Sequence, residues 1–408
     1  MKKIHLLFAF SCLLFSCSSQ KKTTFSSNFP QISEAIQITK NGKEHFYASY
    51  YGITSFNKAE TYATVLETEI KHALPDETQP ATLGLVDMKT FNFIPLTKTS
   101  AWNFQEGCMA HWLDDRTIIY NDYRNHKTVS VIMDIKTKRE IKVLSFPVSG
   151  VAPNGVDALS INFSRLRITR TDYGYAGEGQ DKQAEVAFPE NDGIFICNLK
   201  TGSKKLLISF AQIKNMVPTF TKSSIEYFAH TRFNTDGSKI FWLARGFPEW
   251  NTSAFTVNKD GSQLQRSFPD GWNGSHYDWL NEDELMITAN YNAEKFAHIL
   301  FTIGQKNFKK LGKGALDFDA HGTFSPNKKW MVTDAYPNKV TGEQKIFLMN
   351  MKTEEVKILG GFIEPKEYSN TGKWRCDIHS RWSPKGNIIG FNSTQNGSRQ
   401  AYIFRVKE

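Results

Sequence analysis

His321-Gly-Thr-Phe-Ser-Pro-Asn-Lys-Lys-Trp-Met-Val332 contains the unit from which the chain is built. It reads His-x-x-aromatic, then a polar turn, then a β-rich run. Three more segments share the pattern: His230-Thr-Arg-Phe-Asn-Thr-Asp-Gly-Ser-Lys-Ile-Phe-Trp242, His276-Tyr-Asp-Trp-Leu-Asn-Glu-Asp-Glu-Leu-Met-Ile287 and His379-Ser-Arg-Trp-Ser-Pro-Lys-Gly-Asn-Ile-Ile389. Pro326-Asn327, Pro384-Lys385-Gly386 and Thr235-Asp236-Gly237 are hairpin chemistry, with residues that preset or tolerate the turn dihedrals. Weaker copies lie upstream at Trp112–Tyr120, Val151–Ala158 and Phe56–Ala63. The anchors are then 56, 112, 151, 233, 279, 324 and 382, and the longest gap holds an insertion near 165–192.

Most hairpins are followed by a third strand ending in a turn of the Lys-Thr-Gly kind, as at Ser130–Thr137, Gly193–Gly202, Ala254–Gly261 and Ile346–Thr353. A fourth strand often follows, as at Glu140–Leu144 and Val356–Leu359. A repeat of this length signals a propeller or solenoid. Four strands per unit and seven units predict an all-β, seven-bladed β-propeller. The last unit stops after its third strand, Ala401–Val406, and Ala35–Thr39 supplies the missing one. Closure by that N-terminal strand leaves no open sheet edge. The pattern resembles the TolB-like repeat with its Phe-Ser-Pro-Asp-Gly signature, a resemblance that speaks to fold and not to function.

The N-terminus sets the expected compartment. Lys2-Lys3 is a basic n-region, and Ile4–Phe15 is an apolar run too short to span a bilayer. Leu14-Phe15-Ser16-Cys17 resembles the lipobox of bacterial lipoproteins, in which the Cys thiol is lipidated. We therefore expect a signal peptide over 1–16, a lipidated tether over 17–30 and the propeller over 31–408. Ser18 after Cys17 points to an outer-membrane lipoprotein facing the periplasm, with the membrane met through the lipid anchor only. Cys108, Cys197 and Cys376 are odd in number and far apart, so no disulfide framework is indicated.

Hydrophobic residues make up 40% and charged residues 22%, which suits a globular domain and not a disordered chain. The formal charge of +9 draws anionic partners. In the cytosol nucleic acid would lead that list. In an envelope an acidic polysaccharide does, so no nucleic-acid partner is expected. A monomer or weak oligomer is expected.

The first strand of each blade lines the axis, so the four blade histidines should converge at one mouth. Converging imidazoles with a carboxylate suit a divalent metal. Asp377-Ile-His379 is an i, i+2 pair that an extended segment points to one side. Asp317, Asp319 and Asp334 are further carboxylates, readable also as turn and ladder-end residues.

His276-Tyr-Asp-Trp279, His321 forty-five residues later and a His-bearing Ser-Pro strand at 379 resemble the oligogalacturonate lyases. That family of seven-bladed propellers cleaves pectic fragments by β-elimination with a bound divalent metal. The resemblance implies His276 as the Brønsted base, with His230 beside it as a second catalytic candidate. It implies His321, Asp377 and His379 as metal ligands, for manganese first and for zinc or calcium otherwise. The family's His-x-His pair reads Asp377-x-His379 here, and Trp374 stands where a family Gln would be, which puts metal binding in question.

β-Elimination on a uronate needs a base near neutrality, which His supplies unshifted, and a cation on the carboxylate to acidify C5. Arg232, Arg375 and Arg381 flank the histidines as candidate clamps. The insertion adds Arg165, Arg167 and Arg170 and then a Gly- and Tyr-rich loop with Tyr173 and Tyr175, a candidate lid for an anionic sugar. Trp102-Asn-Phe-Gln-Glu-Gly107 is a candidate aromatic platform. The leading expectation is a metal-assisted lyase acting on uronate oligosaccharides. The alternative is a non-catalytic TolB-like scaffold or glycan-binding lipoprotein, and a third is a metallo-hydrolase on the same scaffold.

Overall fold

The computed structural model describes residues 29–177, 181–217, 225–247, 252–267, 272–290, 295–305, 307–368 and 372–408. Cys17 and most of the expected tether lie outside these residues. So do residues 178–179 at the end of the expected lid loop.

Seven antiparallel sheets follow one another along the chain, at 44–99, 111–144, 150–209, 225–266, 273–310, 323–363 and 381–407. We number them blades 1 to 7. Each of the first six has four strands in sequential order. Blade 7 has three of its own, and Gln31–Ile32 and Ile36–Gln37 pair in tandem along its last strand, Gln400–Lys407. Ile36 faces Ile403, as the N-terminal strand expected over 35–39 requires. Phe29 reaches further and packs its ring 5.5 Å from that of Trp330, so the end of the expected tether lies against blade 6.

The hairpin turns follow the sequence. Asn234 to Lys239, Ser325 to Trp330 and Ser383 to Ile388 close the same loop in blades 4, 6 and 7. Its left-handed position is filled by Gly237 (φ 78°), Lys328 (φ 60°) and Gly386 (φ 79°). Only glycine adopts that conformation at no steric cost. Between blades the core is apolar, with Trp242, Trp279, Ile287 and Phe391 among its fully enclosed side chains. Cys108, Cys197 and Cys376 are free and buried.

Two elements depart from the repeat and shape the channel. The insertion lies between the second and third strands of blade 3 and begins with a helix, Phe163–Thr169, capped by Asn162. The other is the segment 48–56 after the inner strand of blade 1, which leaves its blade and crosses the axis.

Candidate active site

Four histidines from four consecutive blades meet at one end of the channel, each with 7% exposure or less. His230 and His276 lie inside the inner strands Ile225–Phe233 and Asn273–Trp279, where the pairing register slips. Such a bulge re-aims a side chain. His321 and His379 lie two residues before the inner strands Thr323–Phe324 and Arg381–Trp382. His230 (φ 56°) and His379 (φ 52°) adopt left-handed backbone, a strained state that collects at functional sites.

His276 and His321 have ring centres 4.0 Å apart, and His321 and His379 are 4.4 Å apart. His230 stands on the far side of Tyr50, stacked on its ring at 4.8 Å, with Glu106 Oε1 3.6 Å from its Nδ1. Tyr51 presents its ring to His276, His321 and His379 together.

Two carboxylates fix the central pair. Asp319 Oδ1 lies 3.0 Å from His276 Nδ1, and Asp334 Oδ1 lies 2.8 Å from His321 Nδ1. Each carboxylate fixes the ring and turns Nε2 inward, an outer-shell arrangement typical of metal-binding histidines. The Tyr336 hydroxyl lies 3.4 Å from both Nε2 atoms. Burial, then repulsion from His321, lowers the pKa of His276 against the pull of Asp319. Burial also opposes a charge on His321, yet Asp334 outweighs it and raises that pKa. His379 is held well below the usual range by burial and by its cationic neighbours.

His321, Asp377 and His379 offer one ligand atom each within 4.8 Å of one another, all buried. His379 Nε2 makes no hydrogen bond among the described residues. An enclosed nitrogen lone pair beside a carboxylate and a second imidazole is a donor set that fits a divalent metal.

The rim is cationic. Arg375 Nε lies 3.0 and 3.2 Å from the two Asp377 oxygens, and its other nitrogens reach Asp172 and the Tyr173 hydroxyl. Arg170 pairs with Asp172 and lies over the Tyr173 ring. Arg170, Tyr173, Arg245, His276, Tyr336 and Arg375 line a cleft of about 200 Å³.

The structure separates the remaining candidates from this cleft. Arg165 is buried and spends its guanidinium on Asp181 and on the carbonyls of Gln183, Val186, Ala187 and Glu226, so it braces the insertion. Tyr175 is enclosed, stacked 4.6 Å from Phe163 and bonded to Asn121. Arg381 is buried on the carbonyl of Ser49 and the hydroxyl of Ser55. Arg232 pairs with Asp278 and lines the opposite mouth. Trp102 is core, not platform, packed on Phe46 and Phe104. Trp374 donates to the Glu367 carbonyl and supplies no ligand. Sequence reasoning missed Tyr51, Tyr336, Glu106 and Arg245, which stand outside the repeat's marked positions.

No protein-family profile and no curated protein sequence matches the chain. Solved structures do. An oligogalacturonate lyase from Vibrio parahaemolyticus is similar with a TM-score of 0.64 at 12% identity, over 93% of this chain and 99% of that one. An oligogalacturonate lyase in complex with manganese gives 0.67 at 12% identity, over 93% and 98%. A prolyl endopeptidase gives 0.51 at 9% identity, over 89% of this chain and 50% of that one. The likeness shows the fold. In architecture the chain is similar to the oligogalacturonate lyases, as the spacing of its blade histidines implied.

Proposed function

We propose that the histidine mouth is a metal-assisted β-elimination site for uronate-containing oligosaccharides. The observation that carries the proposal is the division of labour among the histidines. His321 and His379 join Asp377 as a ligand trio, while His276 stands 4.0 Å from His321 with its own carboxylate and lies outside the trio.

In this reading His321, Asp377 and His379 hold the ion. Manganese is the first candidate, in keeping with the manganese complex of one similar structure. When bound, a divalent ion supplies a positive charge beside the substrate carboxylate and so acidifies the C5 proton. His276 is neutral near pH 7, because burial depresses its pKa, and it takes that proton at Nε2. The electron pair left at C5 forms the C4=C5 bond, and the C4–O bond breaks. The leaving oxygen gains a proton, for which the Tyr336 hydroxyl is placed, its pKa pushed well up by burial so that it stays protonated. Asp319 steadies the imidazolium that forms. Arg375 and Arg170 bind and orient anionic sugar at the rim.

One observation favours a second reading. The Asp377 carboxylate is already engaged by Arg375, so the site holds a built-in cation. A glycan-binding lipoprotein needs no more than that. The leader and Cys17 support an outer-membrane anchor facing the periplasm in either case. One experiment separates the readings: purified protein is incubated with uronate oligosaccharides, with and without EDTA, and the ultraviolet absorbance of the unsaturated product is followed. Product that forms only with metal supports the lyase. Binding without product in either condition supports the second reading.

A further inference from the structure

The channel has a second mouth, and segment 48–56 divides it from the first. Arg381 Nη1 donates to the Ser49 carbonyl at 2.7 Å, and Thr54 Oγ1 donates to the Trp382 carbonyl at 3.1 Å, both in blade 7. Tyr51 exchanges hydrogen bonds with Tyr277 of blade 5. Gly52 comes so close to blade 4 that a Cβ would lie 2.7 Å from Arg232 Nη1. The segment therefore spans the axis as a plug. His276, His321 and His379 lie on one side. On the other is a cavity of about 460 Å³ that His230, beside Tyr50, lines but His276, His321 and His379 do not. That volume is typical of a small-molecule site.

The walls of the cavity have a definite chemistry. Trp112, Phe233, Phe324 and Trp382 supply apolar faces, and Arg232, Lys328 and Asp278 the charge, while Glu106 on the same wall is held in its neutral form by burial. Asp278 is saturated: its oxygens accept from the Trp279 and Phe324 amides and pair with Arg232. The cations are not. The Arg232 side chain keeps 30% exposure, and among the described residues Lys328 Nζ makes one hydrogen bond, to the Trp279 carbonyl. Burial lowers the pKa of Lys328, and Arg232 pushes it the same way against Asp278, so an anion between the two is favoured. His111 Nδ1 lies 2.7 Å from the Met109 carbonyl and so carries the proton. Its Nε2 is left as a buried acceptor without a partner among the described residues, which suits a ligand hydroxyl.

Lys328 occupies the left-handed turn position that Gly237 and Gly386 fill in sister blades. Lysine holds that conformation at a backbone cost that glycine avoids.

We propose that this mouth is a second binding site, for a small hydroxylated monocarboxylate of the sugar-acid class, held by Arg232, Lys328 and His111. The site is independent of the chemistry assigned to the histidines. The test is calorimetric titration of the metal-free protein with glucuronate, with glucose and acetate as controls, on wild type, Lys328→Gly and His321→Ala. Glucuronate binds at the second mouth, whatever Arg170 and Arg375 add at the first, and the controls bind there at least about tenfold more weakly. Lys328→Gly weakens glucuronate by about tenfold or more, the worth of one charged hydrogen bond, with no fall in Tm because the turn is relieved. His321→Ala binds as wild type does. Absence of glucuronate binding, equal binding of glucose, unchanged affinity in Lys328→Gly, or loss of binding in His321→Ala would each overturn the proposal.

Discussion

His321 and His276 are held alike but given different work, and that difference is measurable. Each ring has Nδ1 against a carboxylate, yet only His321 belongs to the trio with Asp377 and His379. His321→Ala removes a ligand, so metal content by elemental analysis falls to background and activity falls with it. His276→Ala leaves metal at the wild-type level and costs on the order of 10²–10⁴ in rate, the usual worth of a positioned base. Equal metal content in the two variants would show the roles to be wrongly assigned. Asp334 acts one layer out. Asp334→Asn keeps the volume but loses the charge that makes His321 a strong donor, and metal affinity drops by about 10–100-fold. An unchanged Kd by metal titration would reduce Asp334 to a packing role. Part of this was legible in the sequence. The register Thr323 opposite Val332, continued two places, sets His321 across from Asp334. Asp319 offered no such handle, because it lies in the loop between blades 5 and 6, where no ladder fixes a partner.

Strands and hairpins were readable because turn chemistry is local, whereas burial of single charged residues was not. Arg165 sits in a stretch of arginines, glycines and tyrosines that looks like an anion-binding lid. What decides its fate is distant in sequence: the Glu226 carbonyl, the Phe210 ring 4.8 Å away and the carbonyls of 183–187. Arg170 and Tyr173, five and eight positions on, do reach the cleft. The closing strand is the opposite case, an element whose role followed from counting. Ile38 continues it, donating its amide to the Ala401 carbonyl at 2.9 Å and burying its side chain with Ala63, Val65 and Ile403. Ring closure makes that burial part of the global fold. Ile38→Ala should therefore lower unfolding free energy by about 2–5 kcal/mol, as for other large-to-small core changes. The readout is the urea midpoint at unchanged m. A loss under about 0.5 kcal/mol, the size of a surface effect, would mean that the ring closes without this segment.

At the scale of the whole molecule, buried titratable groups set how stability depends on pH. Glu106 comes from the loop before blade 2, Glu226 from the inner strand of blade 4 and Glu364 from the end of blade 6. Burial pushes each carboxyl up to about 8. Both Glu226 oxygens lack a hydrogen-bond partner among the described residues, so its neutral form is strongly preferred. A carboxyl with a raised folded pKa binds more protons in the native state than in the unfolded state between about 4.5 and 8. Unfolding free energy therefore falls as pH rises through that window. The histidines do not reverse this above pH 7. His230, His276 and His379 have lowered folded pKa values and are neutral in both states there, while His321 is raised and adds a slope of the same sign. The buried thiols of Cys108, Cys197 and Cys376 are also pushed up by burial, which extends the fall past pH 8. Urea midpoints measured from pH 7 to 9 should thus decrease steadily, each raised carboxyl contributing at most about 1.4 kcal/mol per pH unit. Glu226→Gln removes one titration without adding a charge, so its curve should be flatter than wild type over that range. A midpoint that is constant or rises from pH 7 to 9, or a Glu226→Gln curve as steep as wild type, would mean that Glu226 is ionised in the folded protein and is matched by Arg165, whose charge acts on it in the opposite direction to burial.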